Sequence, residues 1–249
     1  MDYLKFENPG FADIEFFTLL GHSATRYSGN SNAIGQFGTG FKHAINCLLR
    51  EGIEPTIYSS TLQFRFFVKN KRSSNNLDVD REFELVCIEI TGKDQNGKVH
   101  NRVQELGWTL DFGRLDWTNI GMGLREIASN CYDRAYLQTN NFNNAIIEIV
   151  QENSKRAKKD TTRVFIPCTP AVLQYYNEFD KRFLHRKGLN SIEGVLLKAE
   201  RSLNGSDNAM CYRKGVYVKQ ISRNNKPSLF DYNFGGELQI DECRNSDDY

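Results

Sequence analysis

The sequence predicts an α+β fold, a two-layer sandwich in which a mixed sheet carries its helices on one face. Three observations lead there. Apolar residues recur at helical spacing in two segments, Phe41, Ala44, Ile45, Leu48 and Leu49 in the first, and Leu124, Ile127, Ala128, Cys131 and Ala135 in the second. Between and after them lie runs with strand character at 55–59, 62–68, 82–91, 145–150 and 163–166. Finally, a glycine-rich turn carrying Gly35, Gly38 and Gly40 opens directly into the first helix.

Taken in order, Tyr3-Leu4-Lys5-Phe6 reads as a short strand that stops at Glu7-Asn8-Pro9-Gly10, because Asn-Pro and Pro-Gly are turn signals. Residues 11–20 are amphipathic, with Ile14, Phe17 and Leu20 at helical spacing. The stretch 21–32, rich in Gly, Ser, Asn and Thr, reads as a loop that closes over a ligand. The first strong helix runs to Arg50. Of the strands that follow, 82–91 shows the plainest alternation, in Val86, Ile88 and Ile90. Residues 92–107 read as a polar connection, 108–112 as a short strand and 117–137 as the second strong helix. Pro167 and Pro170 close the next pair of strands. Helices are expected over 171–184 and 191–203, a strand over 216–221, and a turn at Gly235-Gly236 before an acidic tail. We divide the chain into 1–170 and a C-terminal extension, 171–249, that packs on or completes the first part.

A chain of 249 residues is long enough for a substantial core, and 39% hydrophobic with 25% charged residues is ordinary globular composition. A net charge of +1 gives no bulk reason to expect a nucleic-acid or membrane partner. The basic runs at 69–72 and 155–159 read as solvated loops. No apolar run approaches the ~20 residues that span a bilayer. The six cysteines are scattered without a C-x-x-C pair, so a reducing cytoplasm is expected and a zinc site is not.

Two stretches carry chemistry. In the first, Ile34-Gly35-Gln36-Phe37-Gly38-Thr39-Gly40-Phe41-Lys42-His43-Ala44, backbone N–H groups at a helix start can cradle phosphate oxygens, with no Cβ at the glycines to block approach. The order G-x-x-G-x-G is neither a P-loop nor a dinucleotide fingerprint. In the second, Glu126, Asn130 and Asp133 share one helical face at i, i+4 and i+7. A carboxamide oxygen there suits Mg2+, and a carboxylate one turn away suits activation of a water for attack on phosphorus.

Together these stretches resemble the GHKL ATPases, the superfamily of gyrase, heat-shock chaperone, histidine kinase and mismatch-repair ATPases. Residues 34–44 resemble its second glycine box, and Leu124-Arg125-Glu126 with Asn130 and Asp133 resembles its N-box helix. Residues 17–26 resemble the region of its ATP lid, and Asn8-Pro9-Gly10 stands where its first glycine box would be. The N-box comes after both glycine boxes here, so the resemblance implies a circularly permuted domain over 1–170. Residues 145–166 should then be the strand pair that links the N-box to the first glycine box. Asn8 stands in place of the family's adenine-reading aspartate, a neutral acceptor for a charged one, with Glu7 as a neighbouring alternative. Thr91 or Thr162 is the threonine beside adenine, and Lys42 or Lys219 the contact to the γ-phosphate.

What the resemblance implies is an ATP-binding protein with slow Mg2+-dependent hydrolysis. Glu126 is the base, Asn130 the metal ligand, and Asn8, Gly10, Gly35, Gln36, Phe37, Gly38, Thr39, Gly40, Phe41, Lys42 and Asp133 surround the nucleotide. Closure of residues 21–34 would be the conformational output, toward a protein partner or a second copy. The alternatives are a nucleotide-gated interaction protein without meaningful turnover and, less favoured, a nucleic-acid-binding module. Against the last, Tyr175, Phe179 and Phe183 are spaced for core packing rather than for stacking on bases.

Overall fold

The computed structural model describes residues 1–20, 34, 39–73, 81–187, 196–198, 209–221, 230–235, 238 and 240. The first part of the chain forms β1 (Asp2–Pro9), α1 (Ile14–Thr18), α2 (Gly40–Arg50), β2 (Thr56–Ser59), β3 (Leu62–Ser73), β4 (Arg81–Lys93), β5 (Val99–Thr109), α3 (Ile120–Thr139), β6 (Ile146–Gln151) and β7 (Thr161–Pro167). Its strands make one seven-stranded sheet in the order β5-β4-β3-β2-β7-β1-β6. Every neighbouring pair in it is antiparallel, which corrects the expected mixed sheet. The cause is local. A two-residue turn joins β2 to β3 and a tight hairpin turn at 94–98 joins β4 to β5, and such turns can only return the chain antiparallel. Strand β1 lies between β6 and β7 and runs against both, so the two strands expected over 145–166 form without pairing to each other.

Helices cover one face of this sheet. Leu4 and Phe6 of β1, Phe64 and Phe66 of β3, and Ile88 and Ile90 of β4 join Phe41, Ala44, Ile45 and Leu48 of α2 and Leu124, Ile127 and Ala128 of α3 in one buried cluster. Alternate residues of the same strands face the other way. There Phe165 stacks edge-on against Tyr3 and Tyr58, outside that cluster.

The rest of the chain forms α4 (Pro170–Asn177), α5 (Phe179–Arg182), β8 (Leu196–Lys198), β9 (Ala209–Arg213), β10 (Val216–Ile221) and β11 (Phe230–Phe234). The strands make a second sheet, β10-β9-β11-β8, in which β9 and β11 run parallel. The helix expected over 171–184 breaks at Glu178, whose N–H closes α4 on Tyr175 and Tyr176. After the break Phe179 and Phe183 both reach the main cluster, with Tyr175 and Val216. Within 191–203, where a helix was expected, the described residues form strand β8.

Residues 92–107, expected as a connection, are the end of β4, a hairpin turn and most of β5. β5 is an edge strand of the sheet, and its middle reads Asn101-Arg102-Val103-Gln104-Glu105, so its apolar alternation is faint. Among the described residues no helix is long and apolar enough to cross a membrane.

Candidate functional site

Helix α3 starts at an Asn119 cap, whose side chain accepts from the Met122 N–H at 3.2 Å, and its buried side lies along α2 and β1. Leu124, Ile127, Ala128 and Cys131 are sealed in the core, as the helical spacing predicts. Glu126 and Asp133 are buried too, at 5% and 1% exposure, so the polar face is not a solvated one. Asn130 between them is half-buried, and its amide N–H lies 3.4 Å from Glu126 Oε1.

This face meets the two described ends of the glycine-rich stretch. Asp133 Oδ1 accepts from the Ile34 N–H at 2.6 Å. Gly40, the first residue of α2, lies so close to Glu126 that an added Cβ would stand 2.5 Å from Oε1. Only glycine fits there with the carboxylate where it is. Thr39 precedes the helix without a side-chain cap, and Phe41 packs into an aromatic cluster with Phe16 and Phe17. Gly35, Gln36, Phe37 and Gly38 lie outside the described residues, as does the loop at 21–33.

The end of β1 lies under the C-terminal half of α3. Asn8 pairs in register with Thr162 of β7, and Thr162 Oγ1 donates to Gly10 O at 3.0 Å. Gly10, at φ +81°, turns the chain there, donates its N–H to Asp160 O, and lies against the Gln138 side chain of α3. Arg134 of α3 donates to Phe11 O at 2.8 Å. Asn8 is buried and donates its amide N–H to Pro9 O at 2.9 Å, which leaves the side-chain carbonyl as the acceptor.

Some expected residues stand elsewhere. Thr91 sits on β4 opposite Gln63, separated from β1 by β3, β2 and β7, so of the two threonines Thr162 is the neighbour of Asn8. Glu7 points to the opposite face of the sheet, where Lys158 at 2.6 Å, Arg163 at 2.9 Å and Lys5 at 3.2 Å surround it. Burial alone would raise its pKa, but Lys158, Lys5 and Arg163 outweigh that and hold it below the usual carboxylate value. Lys42 is 1% exposed and donates to Phe16 O at 2.8 Å, with its ammonium 5.1 Å from the Phe16 ring centre. Burial pushes its pKa down to about 8. Lys219 lies on β10 in the second sheet.

Sequence reasoning missed two histidines. His43 is sandwiched between Phe112 and Trp117, with ring centres 4.3 and 5.1 Å away, and burial lowers its pKa first of all. His185 is stacked on Tyr132 and tilted against Phe142, at 2% exposure, and burial pushes its pKa down to about 3. Neither had a spacing signal, since each acquires its aromatic neighbours from distant elements. A cavity of about 460 Å3 opens at the start of α3, lined by Asn119, Met122, Arg125, Tyr175 and Arg182 among others. None of the residues expected to touch nucleotide or metal lines it.

Among the described residues no cluster of three or more His, Cys, Asp and Glu side chains is set to hold a metal ion. No protein-family model matches the chain, and neither the curated proteins nor the solved structures contain a match.

Proposed function

We propose that this chain binds ATP with Mg2+ and hydrolyses it slowly, using a permuted GHKL-type site. The observation that carries the reading is the meeting of Asp133 with Ile34 and of Glu126 with Gly40, the two described ends of the glycine-rich stretch, with Asn130 beside Glu126 on the same face of α3. Residues far apart in sequence converge there, and the pattern of types is one that nucleotide chemistry uses.

In this reading the first backbone N–H groups of α2 and those of Gly35, Gly38 and Gly40 hold phosphate oxygens, with the helix dipole favouring negative charge. Glu126 orients a water and takes its proton. The Asn130 side-chain carbonyl fits a hard cation that draws its remaining ligands from phosphate and water, so a cluster of carboxylates is not required. Mg2+, when bound, neutralises charge developing on the phosphoryl oxygens. Asn8, with its N–H already committed to Pro9, accepts from the exocyclic amine of adenine beside Thr162. Asp133 orders the chain at Ile34 rather than touching nucleotide.

Titration of the protein with ATP, with and without Mg2+, tests the assignment when repeated on Asn130→Ala. The variant is expected to lose Mg·ATP binding. Unchanged affinity would remove the metal role from Asn130.

A further inference from the structure

Strand β5 forms one edge of the large sheet. Among the described residues nothing bonds to the far side of this strand, and its outer face exposes Val99 at 66% and Val103 at 59%. The hairpin fixes which backbone groups point outward. Asp94 N–H donates to Lys98 O at 3.0 Å, so the bonded pairs alternate from there along the β4–β5 ladder. His100, Arg102 and Gln104 then bond to β4, while Val99, Asn101, Val103 and Glu105 direct N–H and C=O away from the sheet.

We propose that two copies of this chain join antiparallel along β5, with the twofold axis at Val103. A strand with free polar groups and exposed apolar side chains is a template for another strand, and an isologous pairing closes as a dimer. Charge selects the register. With the axis at Val103, Val103 meets Val103, Asn101 meets Glu105 and Arg102 meets Gln104, so no like charges oppose. The two Glu105 carboxylates then lie about 14 Å apart along the strands, and each has its own Lys71 partner at 2.6 Å. Moving the axis to Arg102 would set Arg102 against Arg102, and moving it to Gln104 would halve the spacing of the two Glu105 residues. A shift by half a pair would set outward groups against inward ones and break the ladder. Roughly six backbone hydrogen bonds form between Asn101 and Glu105, before the irregular register beyond Glu105. An interface this small suits a dissociation constant in the micromolar range.

Sedimentation of the full chain from about 2 to 200 µM tests this. The wild type is expected to pass reversibly from the 28.7 kDa monomer to a dimer. Val103→Lys puts two ammonium groups face to face on the axis and should weaken the dimer at least about tenfold, with an unchanged melting temperature because the side chain is exposed. Asn101→Pro removes an N–H that points to the partner and should weaken it likewise, whereas Val103→Thr should dimerise as the wild type does. A wild type that stays monomeric throughout, a dimer indifferent to Val103→Lys and Asn101→Pro, or an open-ended series of heavier species, as β5-to-β6 addition would give, each overturns the proposal.

Discussion

Gly40 and Glu126 show how much of the proposed chemistry hangs on single atoms. A methyl group at position 40 would meet the Glu126 carboxylate at 2.5 Å, and the carboxylate, not the backbone, is what can move. Gly40→Ala should therefore leave stability within about 1 kcal/mol of the wild type, since alanine is the better helix former. ATP turnover should fall about a hundredfold, the usual consequence of an ångström of misplacement. Chemical denaturation and phosphate release on one preparation check both halves.

His185 makes a different statement at the same scale. Its ring is stacked and sealed, and neither nitrogen has a hydrogen-bond partner among the described residues. The folded state resists the proton until about pH 3, while an unfolded chain takes it near pH 6.5. Between those values the unfolded state binds more protons, so stability rises with pH and is lost as pH falls through that window. The loss is on the order of 1.4 kcal/mol per pH unit, approaching about 5 kcal/mol if the whole gap is crossed. His185→Phe should flatten the dependence of urea-unfolding free energy on pH between 6.5 and 4. A variant as acid-sensitive as the wild type would mean that other groups dominate.

At the scale of elements, β1 is the keystone strand, because its two faces do different work. Its inner face brings Asn8 beside Thr162 under α3, and its outer face holds Glu7 among three cations, of which Lys158 ties down the 152–160 connection. Glu7→Gln would leave Lys5, Lys158 and Arg163 without their shared carboxylate. It should cost about 2–3 kcal/mol, less than a sealed ion pair because Lys158 is 53% exposed. The wild type's contribution from Glu7 is present at neutral pH and fades as pH drops below about 4.5, so the difference between the two proteins should shrink in acid. Thermal melts at pH 7 and pH 4 measure it. A Glu7→Gln protein equal to the wild type at pH 7 would show that the ion pairs contribute nothing.

The same strand illustrates what the sequence let one read. Residues 3–6 were legible as a strand, but its continuation to Pro9 was not, and Glu7, offered as an alternative adenine acceptor, is buried on the other face among Lys5, Lys158 and Arg163, a contact that depends on residues far along the chain. The amphipathic helices α2 and α3 were legible because a period near 3.6 is written into their own residues. Strand β5 was not, since an edge strand needs little apolar alternation and its polar middle imitates a connection. Glu126, Asn130 and Asp133 were legible as a face, but the burial of Asp133 against Ile34 and of Glu126 against Gly40 depended on tertiary contacts no local pattern encodes.

At the level of the whole molecule, the described residues form an antiparallel sheet, a helical layer and a smaller second sheet that share a core running from Leu4 to Val216. Residues of the expected C-terminal extension, Phe179 and Phe183 among them, lie in that core. In the function proposed above, the polar face of α3, lodged against the start of α2, is a site for ATP chemistry. Phosphate release from Mg·ATP, measured for the wild type and Glu126→Gln with nucleotide binding recorded on the same samples, tests it most directly. Slow turnover is expected in the wild type and none in the variant, while binding persists. Failure of both proteins to bind nucleotide would contradict it.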